Sequence, residues 1–356
     1  MCAFRRYVGW LAGALLLTLQ GVAWAGGYVD VLDLAAKPSA LAVRSPLLDV
    51  GLAGKRLVAV GQRGHILYSD NSGQDWQQAE VPVSVDLNAV FFANPSLGWA
   101  VGNDGVILHS DDGGRSWRKQ LDGRQIGTLL IEHYSALAQV EPDNEQWPVL
   151  VAEGERLKVE GADKPFLDVW FADAQNGFAV GVFNLILGTR DGGLTWMPLQ
   201  DRTDNAMGLH LTALNSTGDA LYLVGEQGLL RRWDALQERF VAQPSPYEGT
   251  WFGVTGKPGE VLVYGLRGHV FRSRDAGQSW QQLDSGLQVS ITAALLDRTG
   301  RPQLFTQAGH RLQVEEGTQL RLMPQQSQSP VAGATLADNG GLVLVGSRGV
   351  RVLAGE

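Results

Sequence analysis

The chain has 356 residues, 44% hydrophobic and 19% charged, the make-up of a folded protein and not of a disordered one. Its formal charge of −8 at pH 7 argues against a general nucleic-acid binder, which needs a basic face to displace phosphate counterions. Forty-five glycines point to many tight turns, and the length leaves one large domain, two small ones or a repeat array open.

Residues 1–25, MCAFRRYVGWLAGALLLTLQGVAWA, stand apart. Arg5 and Arg6 precede an apolar run through Leu19, followed by Ala23-Trp24-Ala25. That order reads as a secretory signal with an A-x-A cleavage site, its core too short for a stable membrane span. Cys2 lies before the apolar run, which excludes lipoprotein-type cleavage just ahead of that cysteine. Cleavage removes the only cysteine and two arginines, taking the formal charge from −8 to −10. The mature chain, 26–356, is expected in the periplasm or an equivalent space, without disulfide, thiolate metal site or cysteine nucleophile.

From there the chain repeats. Gly61, Gly102, Gly181 and Gly265 each follow Val or Tyr and open a short turn. Eight positions later stands Ser69, Ser110, Thr189 or Ser273, and fifteen later Trp76, Trp117, Trp196 or Trp280. The eight-residue phrases are SDNSGQDW, SDDGGRSW, TRDGGLTW and SRDAGQSW. Weaker units supply Gly225 (with Phe240 in the Trp place), Thr306 and Gly346, so landmarks recur at steps near 41. The one double step, 102 to 181, contains 124–160. There Ile126, Leu129, Leu130, His133, Tyr134 and Leu137 fall at helical spacing, and Pro148 sits near a second helix start. Two helices inserted between units 2 and 3 leave seven units.

Within a unit the pattern is β: LNAVFFA or FLDVWFA, then GWAVG or GFAVG, then GVILHS or HVFRS, then the phrase and a last short strand. Four short strands per unit with fixed aromatics predict an all-β, seven-bladed β-propeller. The last unit stops ten residues after Gly346, before its own phrase. Residues 28–34, YVDVLDL, read as a lone strand and are expected to complete that blade, removing two open sheet edges. The phrase itself suits the turn between third and fourth strands. Its hydroxyl and carboxylate can bind turn amides, its glycine permits a special conformation, and its Trp packs between strands or blades.

The pattern S-x-D-x-G-x-x-W is the Asp-box, or BNR repeat, of sialidases and other propellers. Three phrases carry it fully, through Ser110, Asp112, Gly114 and Trp117, through Thr189, Asp191, Gly193 and Trp196, and through Ser273, Asp275, Gly277 and Trp280. The first keeps Ser69 and Trp76 but has Asn71 for the Asp. With V-G-x-x-G ahead of it, the chain resembles the photosystem II assembly and stability factor family and its relatives in bacteria without photosystems, over all of the mature chain except 124–160. The resemblance implies a non-enzymatic scaffold that assists a membrane protein complex, for non-photosynthetic relatives an exporter of the resistance-nodulation-division type. It implies a monomer without cofactor that meets the membrane only through its partner, and an arginine-rich contact surface. Here GQRG, GLRG and GSRG place Arg63, Arg267 and Arg348 at equivalent turns of blades 1, 5 and 7, on the face that also receives the helical insertion.

An Asp-box glycoside hydrolase or carbohydrate-binding propeller is the alternative. A sialidase needs an arginine triad, an acid and a Tyr/Glu pair, and its N-terminal F-R-I-P strand is absent. Asp111, Asp112, Asp191 and Asp275 belong to turns spread around the ring. His65, His269 and His310 follow turn positions in separate blades, and His109, His133 and His210 show no ligand spacing. No catalytic, cofactor or metal residue is therefore assigned.

Overall fold

The computed structural model describes residues 29–324 and 328–354. The secretory signal lies outside the described residues. Seven antiparallel sheets follow one another along the chain: blades 1 (47–78), 2 (87–121), 3 (166–198), 4 (211–242), 5 (251–283), 6 (291–322) and 7 (333–353). Among the described residues six blades have four strands in sequential order and blade 7 has three. Consecutive blades share apolar clusters, and blade 7 packs Val343 and Val345 against Leu47, Val50 and Ala59 of blade 1, so the ring closes.

That closure departs from the sequence expectation. Residues 29–34 form no strand and do not join blade 7. The Asp30 carboxylate accepts the Leu32 amide at 2.9 Å, and Asp33 N–H donates to the Asp30 carbonyl, which curls the alternating segment into a turn. The segment instead runs beside 78–85: Ser84 N–H donates to Val31 O, Ala36 N–H donates to Val81 O, and Leu32 is buried with Val83 and Val85. A short 3-10 turn, Ala42–Arg44, then presses on the last hairpin, where the Val43 carbonyl and Arg44 Cα occupy the space a side chain at Gly349 would need.

The first strand of each of blades 1 to 6 carries a bulge at the same place. Bulge side chains tie neighbouring blades around the ring axis. Asn88 donates to Phe166 O (2.8 Å) and Thr212 to Trp251 O (2.7 Å), while Asp49 accepts from Val90 N–H (2.9 Å) and Asp168 from Leu214 N–H (2.7 Å). Burial pushes the Asp49 carboxyl up to about 6 against the pull of the Val90 and Val50 amides. Burial and the charge of Asp49 push Asp168 up to about 7. Unfolded, both ionise near 3.8. Below that value both states hold the proton and nothing is lost; as pH rises to 6–7 the unfolded chain ionises first, so stability falls. The two acids should together remove about 4 kcal/mol between pH 5 and pH 8, nearly all of it below pH 7.5. Asp168→Asn should flatten the midpoint-versus-pH curve in that window; an unchanged slope would contradict this assignment.

The insertion between blades 2 and 3 is a helix pair, α1 (Gly123–Val140) and α2 (Gln146–Glu160). Asp122 caps α1 by taking the Arg124 amide, while Gln125 returns a bond to the Asp122 amide. Gly127 and Gly154 let the two helix backbones touch, since a Cβ on Gly127 would lie 2.5 Å from Lys158 N.

The Asp-box phrases occupy the turns between third and fourth strands. The hydroxyl of Ser69, Ser110, Thr189 or Ser273 accepts the amide of the glycine four residues on, at 2.8–2.9 Å. Asp112, Asp191 and Asp275 accept amides on the far side of the turn, and Asn71 does the same through its side-chain oxygen. The Ser279 hydroxyl and amide hold Asp275 down at about 2. Trp76 and Trp117 donate their indole N–H to the carbonyl of the box glycine, and Trp280 to Pro244 O.

Candidate protein-docking face

Strand direction alternates within a blade, so turns between second and third strands share one face with the connections that lead to the next blade. The helix pair and the landmark turns therefore lie together on one face, with the Asp-boxes on the other. On the first face the residue two after the landmark glycine is left-handed in five blades: Arg63 (φ 58°), Asp104 (55°), Phe183 (52°), Gln227 (49°) and Arg267 (57°). Holding L-residues there costs energy, and in return the side chain stands off the face. His65, just below the first of these turns, is buried, and its imidazole is kept from protonating by burial and by the Arg63 charge.

Arg63, Arg267 and Arg348 are exposed, and none of their guanidiniums is in an ion pair among the described residues, although the Arg63 amide donates to the Asp86 carboxylate at 2.8 Å. Blades 5, 7 and 1 span one side of the ring, with blade 6 between the first two. The structure adds a fourth cation that the repeat could not reveal. Arg44, exposed and also without a carboxylate partner among the described residues, sits against Gly349 beside the Arg348 turn. The four guanidiniums form a basic arc over blades 5, 7 and 1.

The other side of the same face is built differently. Asp104 has its carboxyl raised by burial and by the nearby charges of Asp30, Asp163 and Asp86. Asp33 is bound by Arg124 and Lys119. Past this acidic patch, α2 and the connection from blade 3 to blade 4 enclose a cleft of ≈830 Å³. Phe183, Met207 and Val149 line it and are 54%, 69% and 66% exposed. Phe183 holds the slot that arginine takes in blades 1, 5 and 7, with its ring against His210 (4.5 Å, 82°) and Lys164 Nζ 5.9 Å from its centre. Rim charges pair with each other, Arg156 with Glu153 and Arg239 with Asp204, and the buried amides Asn184, Gln200 and Asn205 lie beneath the exposed apolar side chains.

Tyr134 fixes the helix pair to this cleft. Its hydroxyl accepts the Gln200 amide at 3.0 Å and lies 3.0 Å from both Gln200 Oε1 and Asp201 Oδ1, while its ring stacks on Trp147. Tyr134→Phe strands a buried amide and should cost about 1–3 kcal/mol. Hydrogen exchange at Gln200 should quicken while exchange in blade 6 stays unchanged; uniform change would mean the pin is not local.

Among the described residues no three His, Cys, Asp or Glu side chains gather as a metal site. The Asp-box carboxylates are each consumed by their own turn.

The sequence pattern of the family described as photosynthesis system II assembly factor YCF48 matches residues 35–131 and 149–281. The chain belongs to the YCF48 family. The break in the match, 132–148, falls within the helix pair. A photosystem II assembly lipoprotein Ycf48 from Synechococcus sp. (strain CC9902) is 29% identical over 122 residues, 32% of this chain and 35% of that protein. The chain thus spans about a third of that relative's length. Among solved structures, YCF48 bound to D1 peptide is similar at TM-score 0.64 and 16% identity, over 88% of this chain and 94% of that one. YCF48 from Cyanidioschyzon merolae is similar at TM-score 0.62 and 13% identity, over 89% and 96%. The WD40 propeller domain of Doa1 scores 0.63 at 11% identity, over 91% and 96%, so these likenesses speak to the fold alone.

Proposed function

We propose that this YCF48-family propeller is an exported, non-enzymatic scaffold that docks an extracytoplasmic segment of a membrane protein on its arginine face and so assists assembly or stability of the complex. The observation that carries the reading is the arc of Arg44, Arg63, Arg267 and Arg348, four exposed guanidiniums with no ion-pair partner among the described residues of an acidic chain. Structural arginines on this protein are paired or bonded to carbonyls, as Arg56 and Arg272 are. Free guanidiniums on one face suit an acidic segment, and the Phe183 cleft across the ring suits an apolar side chain from the same segment. That a YCF48 structure holds a D1 peptide, named for a membrane-complex subunit, supports the same class of ligand here. The partner we favour is an exporter of the resistance-nodulation-division type, met by the monomeric propeller from the periplasmic side.

The test is photo-crosslinking in detergent-solubilised membranes of the source cell, with p-benzoylphenylalanine replacing Phe183 or Arg348 and, as control, Arg118 on the outermost strand of blade 2. The expected result is one membrane-protein segment joined from both face positions and not from the control. Crosslinks from the control alone, or from none, would refute the reading.

A further inference from the structure

The opposite face offers a second surface. In blades 1, 2, 3 and 5 the Asp-box closes the gap to the preceding blade: the box glycines, Gly73, Gly114, Gly193 and Gly277, lie against Val352, Val58, Gln120 and Tyr222. The box indoles fill what remains. Blade 6 lacks a box, and Arg272 of blade 5 closes that gap instead, buried and donating to the carbonyls of Glu315, Glu316 and Gly317, each at 3.0 Å.

Blade 4 has neither device. Its turn, 235–238, is held from within by Asp234, which accepts the Leu236 and Gln237 amides. Phe240 takes the Trp place but is wholly buried, and Trp233, opposite it, stands where other blades have the box hydroxyl. What remains between blades 3 and 4 is a groove of ≈420 Å³, lined by Trp170, Phe178, Met197, Leu199, Leu221 and Trp233. Leu194 and Leu236, in the turns on either side, are 79% and 98% exposed. At the rim Glu238 accepts from both Arg190 (2.7 Å) and Arg202 (3.3 Å), and Arg202 also pairs with Asp201, so the rim charges balance.

We propose that this groove is a docking site for an aromatic side chain, tryptophan foremost, presented by a partner polypeptide on the face opposite the arginine arc. Two features select that occupant. The chain fills the equivalent gap with its own indole in four blades. The walls offer ring edges and faces, with Phe178 and Trp233 at 4.9 Å and 58°, an arrangement that rewards a further ring over an aliphatic chain. Peptide contacts on the two leucines would then continue the surface outward.

The experiment is a titration of the mature chain with N-acetyltryptophanamide, N-acetylleucinamide and N-acetylargininamide, followed by the indole N–H signals of Trp170 and Trp233. The expected result is a saturable shift with the tryptophan probe, at least about fivefold tighter than with leucine and absent with arginine. Ala235→Trp, an exposed change that supplies a ring from the turn itself, should abolish it without moving the unfolding midpoint. A shift that never saturates, or one that survives in Ala235→Trp, overturns the proposal. So does a shift of the same signals on diluting the chain alone, because a second copy would then be the occupant.

Discussion

Trp99→Ala should lower the unfolding free energy by about 3–5 kcal/mol, the range for deleting a large buried aromatic. Trp99 lies in the second strand of blade 2 and is fully buried. It stacks on Phe171 of blade 3 with centroids 3.5 Å apart and planes 10° apart, and meets His109 edge-on at 4.9 Å. Its indole N–H donates to Gly192 O in the box of blade 3 at 3.2 Å. Truncation opens a void at the junction of two wedges and leaves the Gly192 carbonyl short of a partner that Gln120 only in part replaces. Domains of ordinary stability have 5–15 kcal/mol in all, so the variant should be close to unfolding at 37 °C. Leu236→Ser, at a side chain 98% exposed, should change stability by less than about 0.5 kcal/mol. Denaturant titration of both measures the contrast, and a loss below about 1.5 kcal/mol for Trp99→Ala would mean the blades are not packed through this ring.

Replacing Arg44, Arg63, Arg267 and Arg348 together by Glu should weaken capture of the membrane partner more than about a hundredfold at low salt. Each rim ion pair is worth under about 1 kcal/mol, but reversal exchanges attraction for repulsion at four places, and about 2.7 kcal/mol already gives a hundredfold. Screening supplies the control. The Debye length shortens from about 30 Å at 0.01 M salt to about 10 Å at 0.1 M, so wild-type affinity should fall as salt rises while the variant's should rise as its repulsion is screened. All four side chains are exposed, so the unfolding midpoint should hardly move. Arg44→Glu alone should give a measurable part of the loss. Equal capture by wild type and the fourfold variant, with equal salt dependence, would leave the arc without a role.

The blades and their turns were readable because repetition multiplies a weak signal: one S-x-D-x-G-x-x-W is a turn, four at fixed distance from V-G-x-x-G are a ring. Where the chain does not repeat, local patterns misled or stayed silent. YVDVLDL alternates like a strand, but Asp30 reaches its own backbone and bends it, and nothing in the spacing says that a carboxylate will act that way. Arg44 is brought to the arc only by chain closure, against Gly349 at the other end of the sequence. Asp49 and Asp168 were hidden inside apolar runs, LLDV and FLDV, although their shared place two residues into a first strand was a signal that could have been used. The Phe183 cleft depends on how α2 leans on the blade 3–4 connection, a matter of packing that periodicity does not carry.

The junction of blades 7 and 1 differs from the others in having no strand shared between the chain's two ends. Among the described residues it is crossed by apolar side chains, by Arg44's turn, and by the exposed ion pair of Lys55 with Asp338. Among the described residues no backbone bond of the kind that links Glu80 to Arg115 or Asp284 to Thr318 spans it. Arg348 and Arg44 meet Arg63 at this join. A ligand gripping both sides would work as a clasp, so occupancy should raise the protein's resistance to heat and slow amide exchange at that join before anywhere else.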